Sequence, residues 1–453
     1  MKPQTSLDGL RSSLDDAPMG IGQIVVVVLA VLIAGLDGYD VTAMSFVAPV
    51  VGKAWAIDKA TLGMLLGGSL FGMSGGALGL APLADVFGRR PMVMVGLMIM
   101  TIGTLLSALS EVVWQLAGSR VLTGMGIGIM VALTTSVAAE FANKRRRSLA
   151  VACTTVGFAL GGVAGGLGSA AILRGSDWQW VFGAGAIAGT VLLLCAVFIL
   201  PESPAFLIDR RPKHALERLN RVLKRLGRGA LAELPSQPVR QRASYRALFA
   251  PGLAATTIRF AVVYVLVVSA TYYLISWLPQ LVVDSGFPPS KAGLVTAVSQ
   301  TVGIFSGLLF GVLASRIGPV RLTSIAMIGF GLALAALGFV PPVLVALIVA
   351  ASACSFFLSA TTAVFYASLV EAFPPLTRVS GIGFVMGFGR LVSGIAPIAA
   401  GMMFAAGIGR SGVSLTFAAG AIVAGLLFAL PLFMANSART AASPPPLTES
   451  HHV

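Results

Sequence analysis

Two aspartates, Asp37 and Asp40, are the residues best placed to do chemistry in this chain. They interrupt a long apolar stretch as Leu36-Asp37-Gly38-Tyr39-Asp40, and the i, i+3 spacing puts both carboxylates on one face of a helix. Carboxylates that close, away from water, repel each other when both are ionised, so one is expected to hold a proton near neutral pH. The pattern predicts a proton-exchange site. The alternative is that one aspartate caps a helix break at Gly38 or pairs with an arginine.

Three arginines also fall inside apolar stretches: Arg120, Arg259 and Arg390. Arg259 is near enough to the end of its stretch to extend to the membrane surface. Arg390 lies near the middle of its stretch, so it needs a negative partner or a watery cavity. A guanidinium matches a carboxylate in two-pronged geometry. Arg390 is therefore expected either to bind an anionic ligand or to pair with an aspartate.

Aromatic side chains supply the remaining candidates. Tyr273, Tyr366 and Tyr39 are candidates to line a pocket for a planar ring, because offset aromatic pairs add about 0.5–1.5 kcal/mol beyond burial. Tyr264 and Tyr272 belong to the same aromatic cluster. Trp277 lies near the end of its apolar stretch and is interpreted as part of an interfacial aromatic belt.

The elements that must position these residues are membrane helices. The 453 residues are 57% hydrophobic and only 11% charged, which leaves too few polar side chains to cover a soluble globular surface. Twelve apolar stretches reach the roughly 20 residues that a transmembrane helix needs. The fold class predicted is an all-α membrane protein with 12 transmembrane helices in two pseudo-symmetric six-helix bundles.

The positive charge reports orientation rather than a nucleic-acid partner. Of 31 lysines and arginines, 23 fall on the side of the two termini, five on the opposite side and three inside apolar stretches. Basic loops stay on the cytoplasmic side, so both termini are expected to be cytoplasmic. The net charge of +14 then needs no nucleic acid to explain it. Cys153, Cys195 and Cys354 are far apart and predict neither a disulfide framework nor a metal site.

A repeat divides the chain. A shift of 230 residues places Pro49 on Pro279 and Gly88 on Gly318, and parallel repeats of this kind are typical of transporters that bind substrate between two halves. The predicted domains are a cytoplasmic segment (1–20), an N-terminal six-helix bundle (21–200), a basic cytoplasmic linker (201–253), a C-terminal six-helix bundle (254–435) and a disordered tail (436–453). Leucines at helical spacing in the linker predict an amphipathic helix on the anionic inner leaflet.

Several motifs carry a family resemblance. Leu83-Ala84-Asp85-Val86-Phe87-Gly88-Arg89-Arg90 resembles the loop motif between the second and third helices of the major facilitator superfamily, although Val86 replaces the usual basic residue. Arg120 with Gly124 and Gly126 resembles that superfamily's fourth-helix motif, and Glu140 with Arg145–Arg147 and Pro201-Glu202-Ser203-Pro204 resemble further elements.

A narrower resemblance rests on Asp37-Gly38-Tyr39-Asp40, Ser276-Trp277-Leu278-Pro279 and Gly389-Arg390-Leu391. These segments are similar to those of the aromatic acid:proton symporter family, whose members carry benzoate, hydroxybenzoate or hydroxyphenylpropionate.

The resemblance implies a bacterial-type inner-membrane carrier that imports an aromatic carboxylate with protons, as a monomer and without a cofactor or metal. Asp37, Asp40 and Arg120 would couple protons, and Arg390, Tyr366, Tyr273 and Tyr39 would bind substrate. Asp85, Gly88, Arg89, Arg90 and Glu140 would form a gating motif. The alternatives are a symporter for another small organic acid or a sugar or polyol, a drug exporter, and a membrane sensor that transports nothing.

Overall fold

The computed structural model describes residues 17–231, 233–234, 245–251, 253–374 and 377–441, and every regular element in these ranges is helical. Within these ranges, twelve helices are long and apolar enough to cross a membrane, which confirms the predicted fold class. We number them as spans 1 to 12. Their bounds are Ile21–Ala54, Lys59–Phe87, Arg89–Ala108, Val113–Phe141, Arg147–Ile172, Gln179–Ile199, Ala254–Asp284, Pro289–Ile317, Pro319–Phe339, Leu344–Ala372, Arg378–Ala405 (as helices Arg378–Ser393 and Ile395–Ala405) and Arg410–Ala441.

Local sequence explains where several spans begin and end. The Asp58 side chain accepts a hydrogen bond from the backbone N–H of Thr61 and so caps the start of span 2. Gly88 and Gly318 precede spans 3 and 9 with φ of 110° and 91°, a backbone conformation that favours glycine. The two glycines are equivalent under the 230-residue shift, so the repeat extends to backbone geometry.

The two halves, spans 1–6 and spans 7–12, pack together on one side of the bundle. We call the side that holds residue 20 and the Phe141–Arg147 loop the terminal side, and the opposite side the distal side. On the distal side one apolar cluster contains residues of both halves, among them Met44, Leu65, Trp277 and Phe330. On the terminal side the buried residues of each cluster come from one half, around Met130 in the N-terminal half and around Phe260 in the C-terminal half, and Tyr272 of span 7 packs at the edge of the first cluster. The described conformation is therefore closed on the distal side.

Glycine contacts bring helices close together at two functionally placed crossings. A Cβ at Gly38 would lie 1.9 Å from the carbonyl oxygen of Phe158, where span 1 crosses span 5. Across the halves, a Cβ at Gly293 of span 8 would lie 2.5 Å from the carbonyl oxygen of Gly166 of span 5. Only glycine allows backbones to approach this closely, as is common between membrane helices.

The linker contains two helices that pack on the N-terminal half. Residues Pro204–Arg210 and Ala215–Arg225 are helical, and Leu219 and Leu223 are fully buried in the cluster that contains Met130. Gln23 accepts a hydrogen bond of 3.0 Å from Arg228 and so ties the end of this region to span 1. The predicted amphipathic helix exists, and the N-terminal half rather than a lipid leaflet covers its apolar face.

Two further expectations are corrected by the structure. Trp277 is not part of an interfacial belt: it is 0% exposed, and its indole N–H donates a hydrogen bond of 3.1 Å to the carbonyl of Pro397 in span 11. The last helix continues to Ala441, so residues 436–441 of the predicted disordered tail are helical. Residues 442–453, the remainder of that tail, lie outside the described residues, as do residues 1–16.

Candidate functional site

The structure buries Asp37 and Asp40 inside the N-terminal half. Each aspartate is only 1% exposed. The Thr104 hydroxyl of span 3 donates a hydrogen bond of 3.2 Å to Asp40 Oδ1. Asp37 Oδ1 has no hydrogen-bond partner among the described residues. A buried carboxylate oxygen without a partner is costly when charged, so Asp37 is the carboxyl best suited to carry a proton.

Arg120 of span 4 lies beside Asp40 and is completely buried. Its Nη2 donates a hydrogen bond of 2.8 Å to the backbone carbonyl of Asp40, and its guanidinium carbon lies 5.3 Å from the centroid of the Phe182 ring. Nε and Nη1 have no partner within the part of the chain that the structure describes. Arg120 thus holds positive charge next to Asp40 while keeping two donors available.

Tyr39 connects the same region to span 6. Its hydroxyl donates a hydrogen bond of 2.6 Å to the carbonyl of Val181, and Gly185 packs against both its ring and Asp40 Oδ1. The structure therefore brings Tyr39, Asp37, Asp40 and Arg120 together. The hydroxyl of Tyr39 is engaged with the protein backbone in this conformation.

Arg390 lies in the C-terminal half in a different environment. It is half-buried, and within the described residues its side chain forms no ion pair with any carboxylate. Its backbone carbonyl accepts a hydrogen bond of 2.6 Å from Ser74 of span 2, which places Arg390 where the two halves meet. A cation at this depth without a protein carboxylate is available to an anionic ligand.

Three tyrosines lie near Arg390. Tyr264 and Tyr272 of span 7 lie within electrostatic range of its guanidinium, and Tyr366 of span 10 lies within the same range of both tyrosines. Gly389 leaves room for the Tyr264 ring, since a Cβ there would lie 2.2 Å from that ring. All four side chains are half-buried, and together they offer a cation, phenol hydroxyls and aromatic faces.

Tyr273 is not part of this group. It is fully buried in the distal cluster, its hydroxyl lies 2.8 Å from the Ser414 hydroxyl, and its ring stacks on Phe417 at 4.6 Å. Tyr264 and Tyr272, which sequence reasoning did not select, face Arg390 instead. Helical spacing could have identified Tyr272 from the sequence. Tyr272 is eight residues after Tyr264 and lies on the same face of span 7, whereas Tyr273, nine residues after Tyr264, lies on the opposite face.

The residues predicted to form a gating motif lie in a polar network on the terminal side of the N-terminal half. Arg89 pairs with Asp85 at 2.5 Å and with Glu140 at 3.3 Å, so it links spans 2, 3 and 4. Arg90 donates a hydrogen bond of 2.8 Å to the carbonyl of Val197 in span 6. The positive φ of Gly88 turns the chain between these residues.

Glu202 completes this network, although it was not among the residues assigned a role from sequence. Its Oε1 accepts hydrogen bonds from the backbone N–H groups of Arg89 (2.9 Å), Arg90 (3.3 Å) and Ser203 (2.9 Å). A carboxylate here complements the N-terminus of span 3. Burial raises the pKa of Glu202 above the ordinary glutamate value, and these hydrogen bonds oppose the shift.

Comparison with known proteins identifies the family of this chain. Two overlapping stretches, residues 30–323 and 260–451, match the family described as Major Facilitator Superfamily. The chain belongs to that superfamily. It is therefore a membrane transporter, and its twelve apolar helices and bacterial relatives agree with the predicted multi-pass location in a bacterial inner membrane.

Several curated relatives of this superfamily member are named as transporters of aromatic acids. It is 33% identical to the 4-hydroxybenzoate transporter PcaK of Pseudomonas aeruginosa over 68% of this chain and 70% of the relative. It is 31% identical to PcaK of Pseudomonas putida over 85% and 87% of the two chains, and 27% identical to a gallate transporter of Pseudomonas putida over 88% and 90%. The resemblance to aromatic acid carriers is confirmed.

Solved structures share the fold of this transporter. The inward-open xylose transporter XylE of Escherichia coli superposes with a TM-score of 0.70 at 16% identity, covering 90% of this chain and 95% of that one. An inward-facing, occupied bacterial homologue of the lysosomal transporter Spinster gives a TM-score of 0.69 at 18% identity, covering 93% and 98%.

Proposed function

We propose that the protein imports an aromatic carboxylate together with protons by alternating access of its two halves. The observation that carries the proposal is Arg390: a half-buried cation at the meeting of the halves that has no carboxylate partner among the described residues. Of the two alternatives open from the sequence, an internal ion pair and an anionic ligand, this favours the ligand. A single chain supplies both halves, so we propose that the monomer transports.

The tyrosines around Arg390 supply the preference for an aromatic ring. With its carboxylate on the guanidinium, a benzoate-like molecule would lie against Tyr264, Tyr272 and Tyr366, whose hydroxyls can bond to ring substituents. The names of the relatives, which include 4-hydroxybenzoate and gallate transporters, support hydroxylated benzoates as the substrate class. The burial of Tyr273 argues for a packing role, so Tyr272 replaces it in the proposal.

Asp37 and Asp40 would carry the protons, with Arg120 holding positive charge beside them and Tyr39 tying span 1 to span 6. Proton entry offsets the charge of the substrate anion, whose passage against the membrane potential otherwise costs about 2.3 kcal/mol per 100 mV. The network of Asp85, Gly88, Arg89, Arg90 and Glu140 would hold spans 2, 3 and 4 together while the halves rock. Glu202 caps span 3 in that network, so the Pro201–Pro204 element needs no sugar substrate to explain it.

Binding to purified protein tests the substrate site. We expect Arg390→Gln to raise the Kd for 4-hydroxybenzoate about 10- to 100-fold, because hydrogen bonds to a charged group contribute about 1.5–3 kcal/mol. Arg321→Gln, on the exposed terminal surface of span 9, is the matched control and should leave the Kd unchanged. Benzoate, muconate, xylose and a cationic drug complete the panel. Tight xylose binding or unchanged affinity in Arg390→Gln would refute the proposal.

Uptake into liposomes tests the coupling. An imposed inward proton gradient should drive accumulation of labelled 4-hydroxybenzoate by the wild type. Asp37→Asn should abolish that accumulation but retain exchange of internal for external substrate, because exchange needs no net proton movement. Accumulation at the wild-type level in Asp37→Asn would show that the proton is carried elsewhere.

A further inference from the structure

A cavity of about 180 Å³ opens between spans 5 and 8 at the distal surface. Its volume is several times the roughly 30 Å³ that one water molecule occupies in the liquid. The lining contains two cations, one hydroxyl and otherwise apolar side chains, and no carboxylate: Leu167, Ala170, Ala171, Arg174, Ser290, Lys291 and Leu294.

Among the distal cations, Arg174 and Lys291 are the two that line this cavity. Lys59 forms an ion pair with Asp284 at 2.7 Å, and Arg410 donates to the backbone carbonyls of Gly338 and Val340. Arg174 and Lys291 are exposed, and neither side chain has a hydrogen bond or ion pair with another described residue. They come from opposite halves and line the same cavity. Like charges brought together repel, and an anion between them removes the repulsion.

The position of the cavity indicates what kind of anion fits. Span 5 ends at Ile172 and span 8 begins at Pro289, so Arg174 and Lys291 lie at the level of lipid headgroups. Leu167 and Leu294 lie deeper along the same seam and are 49% and 37% exposed. A phosphate group could pair with the two cations while its acyl chains cover the two exposed leucines. Basic pockets between membrane helices bind anionic lipids in this way.

We propose that this cavity binds the headgroup of an anionic phospholipid from the distal leaflet. The site would also be selective for conformation, because Gly166 and Gly293 hold spans 5 and 8 in contact just below it. When the halves separate on the distal side, Arg174 and Lys291 move apart and the cavity is lost. A lipid that binds only the closed arrangement stabilises it, so anionic lipid would favour the distal-closed conformation.

Native mass spectrometry of delipidated protein tests the site directly. With matched acyl chains, we expect phosphatidylglycerol to be retained at least fivefold more than phosphatidylcholine. Arg174→Gln/Lys291→Gln should reduce phosphatidylglycerol retention to the phosphatidylcholine level, whereas Lys53→Gln, an exposed distal cation outside the cavity, should not. Unchanged retention in the double variant would overturn the proposal. Displacement of the lipid by millimolar inorganic phosphate would also overturn it, since the site would then bind free anions.

A distance measurement tests the consequence. Spin labels at Glu111→Cys and Val343→Cys report the separation of exposed distal loops of opposite halves. Nanodiscs with phosphatidylglycerol should contain a larger distal-closed fraction than nanodiscs with phosphatidylcholine alone, and the double variant should show no difference. Binding of 4-hydroxybenzoate by the double variant verifies that it is folded. An equal lipid response in wild type and folded double variant would refute the site.

Discussion

The ion pair between Lys59 and Asp284 should bias the transporter towards its distal-closed conformation. Lys59 Nζ lies 2.9 and 2.7 Å from the two carboxylate oxygens of Asp284, and Gln280 donates a further hydrogen bond of 2.7 Å to Asp284. The pair joins span 2 of one half to span 7 of the other at the distal surface. Separation of the halves on this side must break it.

The exposure of the pair sets the size of the effect. The two side chains are 34% and 45% exposed, so either partner left alone stays hydrated and pays no burial penalty. Ion pairs this exposed contribute about 0.2–1 kcal/mol. Lys59→Gln or Asp284→Asn should therefore lower the ratio of distal-closed to distal-open molecules by about 1.4- to 5-fold.

The assay is the distance distribution between labels at Glu111→Cys and Val343→Cys, with the three native cysteines replaced. A cycle of Lys59→Gln, Asp284→Asn and the double variant isolates the coupling between the partners. The exchange Lys59→Asp/Asp284→Lys should restore most of the closed fraction. Raising salt from 50 to 500 mM should weaken the wild-type bias but not that of the double variant, because salt screens exposed charges.

One outcome would refute the reasoning. If both single variants keep the wild-type distribution, or if the exchanged pair opens the distal side as much as the single variants do, the ion pair does not stabilise closure. The apolar cluster around Trp277 would then account for closure without it.

Three further predictions follow from local contacts. Gly38→Ala should lower thermal stability and substrate accumulation, because the new Cβ would lie 1.9 Å from the Phe158 carbonyl oxygen and overpacking costs about 1–3 kcal/mol. A melting assay measures the loss of stability. Its control is Gly35→Ala, whose Cβ would make an ordinary contact of 3.4 Å. Tyr272→Phe should raise the Kd for 4-hydroxybenzoate, whereas Tyr273→Phe should lower the melting temperature and leave that Kd unchanged; the reverse pattern would return Tyr273 to the site. Because burial raises the pKa of Glu202, its proton stabilises the fold below the ordinary value of 4.5, and this contribution is lost as pH rises through the raised pKa. The melting temperature of the wild type relative to Glu202→Gln should therefore fall as the pH rises from 4.5, and a difference that stays constant with pH would contradict the assignment.

Sequence patterns predicted the fold because bilayer physics allows few solutions. Runs of apolar residues longer than a bilayer is thick must become helices, so the count of twelve followed directly. The 230-residue shift was informative for the same reason: Gly88 and Gly318 take positive φ at equivalent helix starts. Few charged residues fall inside the apolar stretches, so Asp37, Asp40 and Arg120 could be picked out from the sequence. The structure places all three in one buried region.

Expectations that depended on tertiary partners were less successful. The position of Trp277 near the end of its apolar stretch predicted an interfacial aromatic belt. Its indole N–H instead donates to the carbonyl of Pro397, 120 residues away in the sequence. The apolar stripe of the linker helix could be recognised from the sequence. The surface that covers it could not be predicted, because a lipid leaflet and an apolar protein face present the same chemistry. The sequence analysis did not consider which face of span 7 each tyrosine occupies, so it selected Tyr273 rather than Tyr272 as a substrate-binding residue.

The linker contacts have a consequence for biosynthesis. The buried residues of the terminal-side cluster of the N-terminal half lie between positions 26 and 231 and include Leu219 and Leu223 of the linker. All of these leave the ribosome before span 7 begins at Ala254, and chains grow at about 5–20 residues per second. The distal cluster, in contrast, needs Trp277 and Phe330. The nascent chain can therefore complete its terminal-side core first, while the distal seam closes only after the second half has been inserted.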